Sequence, residues 1–181
     1  MHWEESDIIQ IAEMVKEGKE YLFNNDLDHF FMQLEDKYNN TSDTGGVVPI
    51  RFMYQYMLDN GINPMDYMTY IPRGAYYRTS ISEITIPDNI TSIEDHAFSR
   101  CSALKEVHLP DSVTHIGSHA FGQSGLERIN IPETIDYLSY TAFNPPNSIN
   151  YPVPILVVKK NGRAKRFLKD KSYTGYEIEE I

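Results

Sequence analysis

One short phrase recurs through the middle of this 181-residue chain and limits the folds open to it. The phrase runs from an aliphatic residue to an alanine and an aromatic ring. It occupies Ile93–Phe98, Ile116–Phe121, Leu138–Phe143 and, in a less regular form, Ile71–Tyr76. The steps of 22, 23 and 22 residues are counted between Ala75, Ala97, Ala120 and Ala142. A fixed period of this size indicates a solenoid in which every repeat forms one coil.

A second phrase lies between the copies of the first and ends in a proline. It occupies Ile81–Pro87, Leu104–Pro110 and Leu126–Pro132, and apolar residues alternate with polar ones in it. Alternation predicts a short strand with one buried face. Proline lacks the N–H that a strand ladder needs, so the strand ends there. The alanine is expected where coils meet closely and the aromatic ring in the middle of each coil, because stacked coils share one core.

This pattern resembles the leucine-rich repeats of the bacterial surface antigen type, called BspA-like. The resemblance is carried by the three I-P or L-P steps, the three A-F pairs and Cys101–Leu104. It is strong over about 70 residues and extends to the C-terminus through Leu156–Val158 and Tyr176–Ile178. It implies a solenoid fold and a binding scaffold of the kind found on bacterial surfaces, in parasites and in phages. The family has no shared catalytic residues, so the resemblance implies no particular activity.

We therefore predict an α+β chain with three parts. A helical cap domain is expected over residues 1–69, and a short leucine-rich-repeat solenoid of about three to four coils of 22–23 residues over residues 70–150. A strand–helix–strand cap is expected over residues 151–181. Terminal units are needed because a solenoid exposes its core at both ends. A specific activity or partner contact in residues 1–69 is the alternative to simple capping.

Apolar stripes predict the helices of the N-terminal part. Two helices are expected within residues 6–38, and Asp26 is placed to cap the second of them. A glycine-ended polar loop follows over residues 39–46. A third helix should begin near Pro49 and end at Gly61, with its apolar face formed by Phe52, Met53, Tyr56 and Met57.

Composition excludes some classes of protein. Hydrophobic residues make up 41% of the chain, which is typical of a globular protein, and no apolar run reaches the length of a membrane span. The acidic start of the sequence lacks the basic region of a secretory signal. A cytoplasmic location is therefore expected, with a virion or cell surface as the alternative. The one cysteine, Cys101, lies where the family that the chain resembles usually has a small buried residue, so the resemblance implies a buried structural thiol.

Motifs that carry catalytic chemistry are missing from the sequence. No nucleophile elbow, phosphate-binding loop or zinc-protease motif occurs. His96 and His119 occupy the same place in successive coils and should be neighbours, but a zinc site needs three or four converging ligands. We therefore expect no enzyme activity, no cofactor and no metal.

Charge is unevenly distributed along the chain. Residues 1–69 hold 13 acidic and 4 basic side chains, whereas residues 159–171 hold 7 basic and 1 acidic. The basic run is expected to be a solvated helix face, with Ala164, Phe167 and Leu168 turned to the core. Nucleic acid is an unlikely partner, because the net charge of −10 repels phosphates. A monomer is expected at physiological salt, with weak head-to-tail association at low salt.

The remaining candidate for function is a surface. In each predicted strand the residues between the apolar positions face outward, and stacked coils should align them into a ladder that contacts a partner. The candidate partner-binding residues are Ser82, Glu83, Thr85, Lys105, Glu106, His108, Glu127, Arg128 and Asn130. The expected function is a non-catalytic protein–protein interaction module, for example a phage or bacterial protein that binds and occludes a host protein. The alternative is a structural or assembly component of a phage particle or cell surface.

Overall fold

Two parallel sheets run along the repeat and enclose one core. A computed structural model describes residues 27–38, 47–143, 151–169 and 176–181. Sheet A has four strands in the order β1-β3-β5-β7, namely Tyr70–Ile71, Ser92–Ile93, His115–Ile116 and Tyr137–Leu138. Sheet B has five in the order β2-β4-β6-β8-β9, namely Glu83–Thr85, Glu106–His108, Arg128–Asn130, Ile155–Val158 and Glu177–Glu180. The prediction of a short leucine-rich-repeat solenoid is confirmed.

The strands of sheet B follow the alternation in the sequence. In β4 and β6 the middle residue, Val107 or Ile129, is buried and its two neighbours are exposed. The middle residues pair in register with one another and with Ile84 of β2. Strands β3, β5 and β7 of sheet A fall after the prolines, in a stretch for which the sequence analysis predicted no strand. Each ends on a buried aliphatic residue, as Ile93 does in β3.

A column of aromatic rings passes through the coils. The rings of Tyr76, Phe98, Phe121 and Phe143 lie nearly parallel, with centroids 5.0, 5.3 and 5.7 Å apart. Tilted or edge-on rings extend the column at its two ends, namely Phe31 and Tyr54 before it and Tyr176 after it. The expected role of the repeat aromatics as the filling of each coil is therefore confirmed.

The alanines lie where consecutive coils touch. Ala97 and Ala120 are fully buried, and their carbonyls accept hydrogen bonds from Tyr76 and Phe98 of the preceding coil at 2.8 and 2.7 Å. A larger side chain at these positions would separate the coils and lengthen those bonds. The repeat therefore keeps a small residue beside each large one.

Two helices cover the first coil. They are α1 (Leu27–Tyr38) and α2 (Val47–Asp59), and a 3-10 turn at Pro64–Asp66 leads into β1. Leu27 and Phe31 of α1 are buried in the same core as the repeat aromatics. The expected helix before residue 27 and the expected loop at residues 39–46 lie outside the described residues.

The predicted apolar face of α2 is partly wrong. Met53 and Met57 are buried as expected, but Phe52 and Tyr56 are 44% and 40% exposed. The buried face continues instead through Ile50 and Tyr54, which restores the spacing of an amphipathic helix. Almost every residue of this helix is apolar, so periodicity alone could not select the face.

The C-terminal part adds a helix between the last two strands of sheet B. This helix, α3 (Arg163–Lys169), buries Ala164 and Leu168, whereas the side chain of Phe167 lies outside the described residues. The carboxylate of Glu133, from the last regular coil, accepts a hydrogen bond from the backbone N–H of Arg163 and so satisfies a donor at the start of α3. Within the described parts of the chain, none of the helices is long and apolar enough to span a membrane.

Candidate protein-binding surface

Six of the nine predicted partner-binding residues lie on the outward face of sheet B, and the other three, Ser82, Lys105 and Glu127, come directly before its strands. All nine are exposed. Glu83 pairs in register with Glu106, and Glu106 with Arg128. Thr85 is likewise aligned with His108 on the neighbouring strand. The structure thus brings the predicted residues onto one continuous surface. Whether a partner binds there stays a prediction.

An ion pair and a contact between an imidazole and a carboxylate hold several of these side chains in place. The ammonium group of Lys105 lies 2.5 Å from the carboxylate of Glu127 across the coils. The imidazole of His108 is 3.2 Å from the carboxylate of Glu106 two residues earlier. These pairs are exposed, so each contributes on the order of 0–1 kcal/mol to stability. Their main effect is to fix the orientation of side chains that a partner would meet.

The surface is longer than the sequence indicated. Strands β8 and β9 join the same sheet, so five strands rather than three carry it. Arg128 reaches across β8 and forms a two-pronged ion pair with Glu179 of β9, one branch of which measures 2.6 Å. The hydrogen bond from Arg128 holds the pKa of the Glu179 carboxyl below its ordinary value. Glu179 is therefore a surface residue that the sequence analysis missed.

The balance of charge on this surface is negative. The strands of sheet B and the residues directly before them carry two lysine or arginine side chains, Lys105 and Arg128, both already paired with carboxylates. The five carboxylates belong to Glu83, Glu106, Glu127, Glu177 and Glu179. Glu83 and Glu106 are neighbours on adjacent strands, an arrangement that costs stability because like charges face each other. A partner with basic side chains would relieve that repulsion.

A shallow depression of about 380 Å³ lies between β4 and β6. Its floor is formed by Val107 and Ile129 and its walls by the charged side chains of the two strands. It is open to solvent and mostly polar, whereas small-molecule sites are enclosed and mostly apolar. The depression therefore suits an inserted side chain of a partner protein better than a free metabolite.

Cys101 lies in the core and not in a reactive setting. Its thiol is fully buried and donates a hydrogen bond to the carbonyl of Tyr76 at 2.9 Å. Burial raises the pKa of the thiol, against the smaller opposing effects of hydrogen bonds from Thr79 and of the charge on Arg51. The expectation of a buried thiol is confirmed, and the raised pKa keeps it protonated at neutral pH.

The two histidines at equivalent places are neighbours, as predicted. The rings of His96 and His119 are stacked with centroids 5.1 Å apart, and both residues are half-buried. Both backbones are left-handed, with φ of 58° and 52°. In the parts of the chain that the structure describes, no three histidine, cysteine or carboxylate side chains converge to hold a metal ion.

The coil geometry defines the class of protein, a parallel β-solenoid with leucine-rich repeats. Residues 69–156 match the BspA type leucine rich repeat region (6 copies), and this part of the chain belongs to that family. Leucine-rich-repeat proteins generally mediate protein–protein interactions and are generally non-catalytic.

One solved structure with this similarity is a leucine-rich repeat protein from Bacteroides ovatus. The alignment has 17% identity and a TM-score of 0.29, and it covers 64% of this chain. The chain spans about half, 46%, of the length of that protein. No curated protein sequence matches the chain.

Proposed function

We propose that the chain is a non-catalytic protein-binding module and that the outward face of sheet B is its contact surface. The observation that carries the proposal is the alignment of nine exposed polar residues on one parallel sheet, held in place by ion pairs that span the coils. Solenoids commonly present stacked residues of this kind as extended binding surfaces. Occlusion of a host protein by a phage or bacterial chain is one form of this function.

The chemistry of the surface specifies the kind of partner. Lys105 and Arg128 are both already in ion pairs with glutamates. Among the described residues, Glu83 forms no ion pair with a lysine or an arginine. The free charge is thus acidic, and we infer that the partner presents lysine or arginine side chains. Such complementarity raises the association rate and orients the two proteins.

Charge reversal tests the proposal. The variant Glu83→Lys/Glu106→Lys reverses the charge of two carboxylates that form no ion pair with a lysine or an arginine among the described residues. It should weaken partner binding about tenfold without lowering the melting temperature. The control, Asp88→Lys/Asp111→Lys, makes the same change in charge just beyond the ends of the strands, where both residues are exposed. The partner is first captured from a lysate with the unmodified chain, and affinities are then measured by biolayer interferometry. Equal affinities for both variants and the unmodified chain would refute the proposed surface.

Assembly is the second candidate function, and one observation favours it. Strand β9 is the edge of sheet B, and its core-side residue Ile178 is 41% exposed. An exposed edge strand is a template for pairing with another chain. Light scattering at 150 mM and 20 mM salt separates the candidates: a monomer at both concentrations contradicts assembly, and a stable oligomer at 150 mM contradicts an independent module. Association at 20 mM alone is the outcome we predict for a head-to-tail contact.

A further inference from the structure

A pair of arginines lies on the turns between the two sheets, on successive coils. Arg78 and Arg100 are both exposed, and both adopt the left-handed backbone conformation, with φ of 58° and 61°. The N–H of Arg78 donates to Ser99 at 3.0 Å, and the N–H of Arg100 donates to Gly122 at 2.7 Å. The two residues therefore occupy equivalent places one coil apart, a separation of about 4.8 Å.

The side chains converge on one ring. The guanidinium carbons of Arg78 and Arg100 lie 5.3 and 5.8 Å from the centroid of the Tyr77 ring, within the range of a cation–π contact. Tyr77 itself is only 8% exposed. The ring thus anchors two long side chains that would otherwise be mobile, and it holds two positive charges close together.

These charges are not neutralised within the described residues. Every described ion pair of a lysine or an arginine involves other residues, namely Lys105, Arg128, Arg163 and Lys165. The two guanidinium groups repel each other because like charges lie side by side. They form a local positive site on a chain whose net charge is −10.

We propose that Arg78 and Arg100 form a binding site for an acidic segment of a partner protein, in which each guanidinium receives one carboxylate. Arginine binds carboxylates through two parallel hydrogen bonds, and the fixed geometry lowers the entropy lost on binding. The Cβ atoms of residues i and i+4 of a helix are about 5–6 Å apart, close to the separation of the two coils. The same place in the following coil is held by Gln123, also left-handed, which can donate but carries no charge.

Two features favour a protein over a nucleic acid at this site. The Tyr77 ring is covered by the guanidinium groups and is nearly buried, so no base can stack on it. Nucleic-acid affinity grows with the number of phosphates neutralised, and two arginines on a chain of net charge −10 supply few such contacts. The site rests on the proposed function only in that both concern a protein partner; its residues are separate from the surface of sheet B.

The test uses a fluorescein-labelled hexaglutamate peptide and fluorescence anisotropy at 20 mM and 150 mM salt. The unmodified chain should bind at 20 mM salt, and Arg78→Gln/Arg100→Gln should bind about tenfold more weakly. Glutamine is the residue that the next coil already carries in the same left-handed conformation, so this variant is expected to keep the fold. A melting temperature near that of the unmodified chain checks this.

A matched control removes two positive charges from sheet B instead. Lys105→Gln/Arg128→Gln should bind the peptide as the unmodified chain does, and Arg78→Lys/Arg100→Lys should bind with intermediate affinity because charge remains but the two-pronged geometry is lost. No binding of hexaglutamate at 20 mM salt would overturn the proposal. An equal loss of hexaglutamate binding in Lys105→Gln/Arg128→Gln would also overturn it. So would binding of a labelled hexathymidine that is tighter than binding of hexaglutamate and depends on the same arginines. An unchanged partner affinity of Glu83→Lys/Glu106→Lys, with peptide binding intact, would instead contradict the proposed function alone.

Discussion

Replacement of Phe98 by alanine should remove the central support of the solenoid. The ring is fully buried and has an aromatic neighbour on each side, Tyr76 at 5.0 Å and Phe121 at 5.3 Å. Emptying a large aromatic from a core costs about 3–5 kcal/mol. We expect the upper part of that range, about 4–5 kcal/mol, because neighbouring rings held by their own coils cannot collapse into the cavity and two ring contacts are lost.

Urea unfolding followed by far-UV circular dichroism measures this cost through the linear dependence of free energy on denaturant. Phe98→Leu, which keeps most of the volume, should lose clearly less and shows whether the cavity or the ring matters. Tyr67→Ala is the control, because Tyr67 is 45% exposed and lies outside the column; its cost should stay below about 1 kcal/mol. A loss for Phe98→Ala no larger than that of Tyr67→Ala would refute the role of the column.

Three further outcomes are expected. Gly125→Ala should destabilise the chain by about 1–3 kcal/mol in the same urea assay, because a Cβ would lie 2.3 Å from the backbone carbonyl oxygen of Ser102. Glu179→Gln should make the melting temperature less sensitive to acid. The pKa of Glu179 is lowered by Arg128, so the stabilisation from this carboxylate is present above the ordinary glutamate pKa of about 4.3 and is lost as the pH falls below that value. An equal fall of the melting temperature with acid in the variant and the unmodified chain would contradict this. Cys101 should react with a thiol reagent only after unfolding, because its thiol is buried with a raised pKa, and rapid labelling of the native chain would contradict that reading.

The column of rings also explains why the helices and the repeat share one core. Phe31 of α1 and Tyr54 of α2 continue the sequence of contacts begun in the coils, with centroids 5.7 Å apart. Tyr76 takes the place of phenylalanine in the first coil, where it meets Tyr54 edge to face at 5.0 Å. A helix ring thus covers the first coil ring, which would otherwise face water at the end of the solenoid.

The repeat could be predicted from the sequence because equivalent positions of successive coils hold residues of the same kind. The alanine, the aromatic ring and the proline had to recur with one period if coils were to stack, and their spacing predicted the column and the nine exposed positions in and beside sheet B. The burial of Cys101 was implied by the family resemblance. Local rules were sufficient there, since every coil has the same neighbours before and after it.

Only the tertiary structure decided the features that depend on distant segments. Glu179 reaches Arg128 because β9 closes sheet B, a contact spanning 51 residues that no period encodes. Arg78 and Arg100 converge on Tyr77 because the left-handed turns of two coils aim them at one ring. A repeating pattern fixes which face a residue takes within its coil, whereas the partner of a long charged side chain is set by the packing of segments far apart in sequence.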